Sequence, residues 1–174
     1  MGVYLARPEP QEYSTYFSGY VALVPAGDIL VLLRKQHEET RARLLAIPSG
    51  KWDYAYAPGK WTVKEVVGHI ADAERIFCYR ALRIAREDAT PLAGFDEKKY
   101  VPSALFGQRT LESLVAEFSS VRAATLSLFD GLPKEAWTRM GTSNNAGISV
   151  RALACITAGH ELHHMKILRE KYLS

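Results

Sequence analysis

From Ser149 to Tyr172 the chain carries one sustained helical stripe, Val150, Leu153, Ile156, Ile167 and Leu168, and two histidines, His160 and His164, stand on it one turn apart. The stripe turns both rings toward a core. A buried imidazole needs a hydrogen-bond partner or a cation, because leaving a buried polar nitrogen unpaired costs about 1–3 kcal/mol. Any fold of this chain must therefore bring something polar or metallic to the inner face of its last helix. Two inward histidines at i, i+4 suit a divalent ion, and the rest of the sequence is read for a third ligand.

Three more helical patterns precede this one. Asp28 is an N-cap for a first helix in which Ile29, Leu30, Leu33, His37, Thr40 and Leu44 recur at three-to-four spacing until Pro48 and Gly50 stop it. The capping box Thr62-Val63-Lys64-Glu65 opens a second, whose face of Val63, Val66, Val67, Ile70, Ala73, Phe77, Ala81 and Ile84 runs to about Arg86. After Thr110, the positions Leu111, Leu114, Val115, Phe118, Val121, Thr125 and Leu128 describe a third, ending at Asp130-Gly131. Residues 87–109, with Pro91, Gly94, Pro102 and Gly107, show no clean period and are far longer than the ~2–8 residues that usually join antiparallel neighbours. Leu132 to Trp137 adds at most one short turn, Thr138 to Gly147 reads as a polar loop, and Ser149 caps the last helix.

With no convincing alternating strand run, the fold class is all-α. The expected architecture is a four-helix bundle of up-down-down-up topology, with the long crossover between helices two and three. A chain of 174 residues fits a single core. We divide it into an aromatic-rich N-terminal arm, residues 1–27, and the bundle, residues 28–174. Tyr4, Tyr13, Tyr16, Phe17 and Tyr20 argue that the arm packs on the main body. Trp52, Tyr54 and Tyr56 in the loop after helix one are read as packing residues too.

A net charge of +3 is too small to argue for a nucleic-acid partner, and no stretch approaches the ~18 apolar residues of a membrane span. Met1 to Ala6 holds no basic segment leading into an apolar run, and the expected location is cytoplasmic. Cys78 and Cys155 lie among apolar helical neighbours without a metal-binding spacing, and are read as buried free thiols.

His69, on the flank of helix two, faces the bundle interior or its edge and is the candidate third ligand. Two readings stand at this point: His69, His160 and His164 are hydrogen-bonded core residues, or they hold a zinc, nickel, iron or manganese ion with a position open to water or substrate. Three neutral imidazoles would leave the 2+ charge uncompensated, which favours an anionic oxygen or a thiolate in the open position. His163 is given an outer or surface role and His37 a structural one. No G-x-S-x-G elbow, phosphate-binding loop or H-E-x-x-H motif competes; the helix reads His160-Glu161-Leu162-His163-His164, so Glu161 is not assigned as a base. Asp72, Glu74 and Arg75 are read as solvated or paired charges outside the site.

The stretch Pro58-Gly59-Lys60-Trp61-Thr62-Val63-Lys64-Glu65-Val66-Val67-Gly68-His69-Ile70, the run Gly94-Phe95-Asp96-Glu97 and the run Gly159-His160-Glu161-Leu162-His163-His164 together resemble the DinB-like superfamily over about residues 28–172. That resemblance implies an up-down-down-up bundle with His69, His160 and His164 as the ligands of a divalent metal. It also implies a low-molecular-weight thiol co-substrate and a small-molecule substrate, since relatives include bacillithiol- and mycothiol-dependent S-transferases, a maleylpyruvate isomerase and proteins described as metal-dependent hydrolases. A metal-dependent thiol S-transferase is the expected function. A metal-dependent hydrolase, or a non-catalytic metal-binding interaction bundle, is the alternative. Phe95, Asp96, Glu97 and Tyr100 are expected to line the cleft. A homodimer is implied by the family alone, and no catalytic residue is assigned.

Overall fold

The computed structural model describes residues 7–173. Six helices follow one another: α1 (Ser18–Leu23), α2 (Ile29–Leu45), α3 (Val63–Ala85), α4 (Glu97–Ala104), α5 (Leu111–Asp130) and α6 (Val150–Ile167). Of these, α2, α3, α5 and α6 form a four-helix bundle. Each of the four begins at a side chain that accepts backbone N–H groups otherwise left without partners: Asp28, Thr62, Thr110 and Ser149. At Thr62 the box is reciprocal, Glu65 N–H donating to the Thr62 hydroxyl at 3.2 Å and Thr62 N–H to the Glu65 carboxylate at 2.7 Å.

The core forms two apolar clusters, and their membership fixes the helix directions. Ile29, Leu30 and Leu33 at the start of α2 share one cluster with Phe77, Ala81 and Ile84 late in α3, Phe129 at the end of α5, and Val150, Leu153 and Ile156 early in α6. Leu44 at the end of α2 shares the other with Val63, Val66 and Val67 early in α3, Leu111 and Leu114 early in α5, and Leu168 just beyond α6. So α2 and α6 run one way, and α3 and α5 run the other. Two successive parallel helices need a connection that spans the bundle, which is why residues 86–110 are long.

Three parts of the sequence reading are corrected here. The crossover contains α4, capped by Asp96, whose side chain accepts from Lys98 N–H at 3.0 Å. Eight residues with Pro102 inside and only Val101 buried leave too short a pattern to show a period. The expected polar loop Thr138–Gly147 is largely an antiparallel hairpin, β1 (Met140–Ser143) paired with β2 (Ala146–Ser149). It turns on Asn144 and Asn145, both left-handed with φ of 49° and 61°, a conformation asparagine tolerates and a two-residue hairpin turn requires. Four-residue strands are too brief for alternation to be read. The last helix, expected to be continuous to Tyr172, is α-helical to Ile167 and then widens into a π-type turn over Leu168–Tyr172.

The described part of the N-terminal segment packs on the bundle; Tyr4, also assigned to the arm, lies outside the described residues. α1 lies against α6 so closely that a Cβ on Gly159 would stand 2.1 Å from the Tyr20 carbonyl oxygen. Only glycine permits that approach. Further upstream, the Ser149 hydroxyl donates to Glu12 at 2.6 Å and Arg151 forms an ion pair with the same carboxylate. Burial alone would raise the Glu12 carboxyl, but the hydrogen bonds from Arg151 and Ser149 hold it below its ordinary 4.5. A depressed folded-state value adds stability above the unfolded-chain value and loses it as pH falls through the folded one. Glu12→Gln is therefore expected to lower the melting temperature at neutral pH, the gap to the parent closing as pH drops below about 4. Thermal melts of both proteins across that range check it.

In the loop after α2, Trp52 donates its indole N–H to the Ile47 carbonyl at 3.0 Å, and Tyr54 and Tyr56 set their rings edge-on to Tyr172. These three are packing residues. No helix among the described residues is long and apolar enough to cross a membrane.

Candidate metal centre

His69 sits about two turns into α3, and His160 and His164 lie one turn apart on α6, which crosses α3 in the opposite direction. All three rings are buried. The His160 Nε2 stands 3.0 Å from the His69 Nε2 and 3.1 Å from the His164 Nε2. One ligand atom from each residue lies within 4.8 Å of the other two. Three nitrogens held about 2.0–2.1 Å from one tetrahedral ion stand about 3.3 Å apart, so the spacing around His160 needs only a few tenths of an ångström of adjustment.

Protonation fits as well. Burial brings the His69 ring down to about 4 and the His164 ring to about 3, and burial together with the neighbouring imidazoles puts His160 far below its ordinary value. Near neutral pH each ring is uncharged and carries one bare nitrogen, the form in which imidazole binds a metal. The donor set is that of a borderline cation such as zinc, nickel or iron rather than calcium or magnesium. The residues present can hold such an ion.

Aromatic rings fix these imidazoles in place. The Trp61 ring lies 4.7 Å from that of His69, and Tyr20 and Phe77 meet His160 edge-on at 5.4 and 5.6 Å. His163 meets Tyr20 on the flank and stays outside the cluster. His37, on α2, stands edge-on to Phe118 of α5, away from the three.

Glu161 turns the other way from its neighbour His160 and enters a buried charge network. Arg122 of α5 donates to both Glu74 oxygens at 2.7 and 2.8 Å, to Glu161 at 2.6 Å and to the Leu33 carbonyl at 3.1 Å. One guanidinium thus joins all four bundle helices, through Glu161, one residue from His160, and Glu74, five residues from His69. Burial would lower the Arg122 pKa, but Glu161 and Glu74 beside it raise it, so it stays charged. Glu74, held outside the site in the sequence reading, is a paired charge; Asp72 pairs with Arg75 near the surface.

The three histidines line a cavity of about 390 Å³. Tyr16, Phe17 and Tyr20 from the N-terminal segment form one wall, and Trp61 from the loop before α3 closes the histidine end. Phe77 and Arg80 from α3, with Phe95 and Glu97 from the crossover, form another side, and Ser143 and Asn144 of the hairpin complete it. Of the four crossover residues expected here, Phe95 and Glu97 line the cavity; Asp96 caps α4, and Tyr100 packs on the far side of Phe95. The sequence reading missed Tyr20, Trp61, Arg80 and Ser143 as cavity residues. For Arg80 a signal was present, because eleven residues after His69 is three turns plus about 20°, the same helix face. Cys78 and Cys155 are free thiols outside the cavity lining; burial raises both, Cys155 to about 11.

The sequence matches the description of the DinB superfamily over residues 32–168. No curated protein matches it. Among solved structures, YfiT from Bacillus subtilis, described as a probable metal-dependent hydrolase with an unusual four-helix bundle topology, is similar at a TM-score of 0.68 and 16% identity, over 94% of this chain and 92% of that one. The mycothiol-dependent maleylpyruvate isomerase is similar at a TM-score of 0.67 and 14% identity, over 83% of this chain. The match covers 61% of that enzyme's length. At these identities the likeness is one of fold.

Proposed function

Since the chain belongs to the DinB superfamily, we propose that it is a metal-dependent enzyme that joins a low-molecular-weight thiol to a small electrophile, with His69, His160 and His164 holding a divalent ion. The observation that carries this is the meeting of three neutral imidazole nitrogens at the wall of an open cavity. When bound, the ion supplies Lewis acidity that lowers the pKa of a thiol or a water next to it.

The chain's own residues supply the rest. Neutral nitrogen donors leave the cation's charge undiminished, which favours an anionic sulfur or oxygen over a neutral one. Tyr20, Phe77 and Trp61 crowd the imidazoles and exclude bulk water, which strengthens charge interactions in the site. Cys78 and Cys155 are outside the cavity lining, so the thiolate has to come from a co-substrate. No carboxylate joins the three histidines among the described residues. That favours a thiol, which starts near 8.5 and needs little help to ionise, over water, which starts near 15.7. A cavity beside the nitrogens also argues against a closed structural site. The small-molecule substrate and the homodimer expected from the resemblance belong to the same proposal.

The test uses metal-loaded protein with bacillithiol, mycothiol or cysteine and monochlorobimane, whose chloride leaves as the carbon–sulfur bond forms. Thiol consumption about a hundredfold faster with metal than without is the expected result. Metal-dependent cleavage of nitrophenyl esters without any thiol would turn the reading to a hydrolase, and no metal-dependent turnover of either kind would turn it to a binding protein.

A further inference from the structure

Arg80 is only 4% exposed, lines the cavity of the three histidines, and has no carboxylate partner among the described residues. One nitrogen donates to the Ala93 carbonyl at 2.8 Å, and the guanidinium lies 5.7 Å from the centre of the Phe95 ring. That leaves most of its five N–H donors without a partner. Burial lowers its pKa, and no neighbouring acid offsets the effect. The contrast with Arg122, held by two carboxylates and a carbonyl, is direct. A buried cation without a counter-charge is costly, and an arriving anion removes that cost.

A second polar atom waits at the same end. Ser143 lines the cavity, and its hydroxyl is buried and has no hydrogen-bond partner. Ser143 is bridged to Leu92, the neighbour of the Ala93 whose carbonyl holds Arg80. Arg80 and His69 share a face of α3 with a Cα rise of about 16 Å between them, and Phe77 lies in that interval. The cavity is therefore a trough, cationic at one end, nitrogen-lined at the other and aromatic between. Glu97 also lines it and sits in the field of Tyr20, so a singly charged ligand suits it better than a polyanion.

We propose that Arg80 and the Ser143 hydroxyl bind the carboxylate of an elongated, largely apolar substrate whose reacting end lies at the three histidines. The second half of that statement rests on the function proposed above; the first does not. Arg80 also borders a hollow on the other side of residues 90–95, but Ser143, whose hydroxyl is unpartnered, lines the histidine cavity and not that hollow.

The probes are 4-phenylbutyrate and its neutral amide, titrated calorimetrically at neutral pH into metal-loaded parent, chelator-stripped parent, Arg80→Gln and Arg80→Lys. Arg80→Gln keeps a donor for the Ala93 carbonyl while removing the charge. The parent is expected to prefer the carboxylate by about tenfold or more, with or without metal; Arg80→Gln loses the preference and Arg80→Lys keeps part of it. Ser143→Ala leaves the Ala93 contact alone and is expected to weaken carboxylate binding about threefold, which decides the matter if Arg80→Gln does not fold. No preference in the parent, or an unchanged preference in every folded variant, overturns the proposal. A preference that survives in Arg80→Gln but vanishes on stripping places the anion on the metal, and overturns this proposal while leaving the proposed function. A preference that follows Arg80 in a protein that takes up no metal supports it and removes the proposed function instead.

Discussion

His160→Ala strips the protein of its metal in the expected result: about one equivalent in the untagged parent purified without chelator, and almost none in the variant. The effect should be the largest of the three ligand substitutions, because His160 is the central member, within 3.0 and 3.1 Å of the other two ligand nitrogens. Its removal leaves two imidazoles, and affinity should fall by well over the hundredfold typical of losing a supporting contact. The helical circular dichroism should persist, since alanine is a good helix former and the charge network beside it does not use the His160 ring. His163→Ala, outside the cluster, should keep the metal. Elemental analysis of these proteins checks the whole assignment, and full metal retention in His160→Ala would end it.

Arg122→Met is the second large effect. It leaves Glu74 and Glu161, both nearly inaccessible, with their shared cation gone. Breaking a buried ion pair on one side costs about 3–5 kcal/mol, and in a chain of this size that lowers the melting temperature by about 6–20 °C. Adding Glu74→Met and Glu161→Met to the same protein removes the stranded charges and should recover much of the loss, because an apolar replacement of similar volume for a whole buried network is often close to neutral. Denaturant unfolding of the single and triple variants measures both. A triple variant no more stable than Arg122→Met would show that Arg122 matters for its packing, including its contact with the Phe118 ring, and not for its charge.

The bundle was legible in the sequence wherever an element was long and capped. Asp28, Thr62, Thr110 and Ser149 each start a helix where their side chains predict one, because a cap and a sustained apolar period are local signals. The pairing of His160 with His164 was local too; that His69 reaches them depends on α3 and α6 crossing, which spacing cannot encode. Arg122 was overlooked although it stands one turn after Phe118 on the inward face of α5, a charge on an apolar stripe. Its partners are 48 and 39 residues away, and only the assembled helices show that they meet. Asn144-Asn145 was read as loop composition when it is the turn of a hairpin whose strands are too short to announce themselves. The cavity walls escaped notice for a similar reason: Tyr16 and Phe17 lie in a single turn and Tyr20 in the six-residue α1, both too short to show a period.

Those three aromatics all precede the residues that match the superfamily, yet Tyr20 touches the ring of His160. The helices that carry the nitrogens and the segment that shapes the approach to them are thus separate stretches of chain. Substitutions at Tyr16, Phe17 or Tyr20 would reshape one wall of the cavity while the nitrogen-bearing scaffold stays untouched. The reverse does not hold at Gly159, where any side chain would push Tyr20 off α6 and reshape the cavity from inside the scaffold. The shape of the cavity is thus open to change through the N-terminal segment and tied at Gly159 to the last helix.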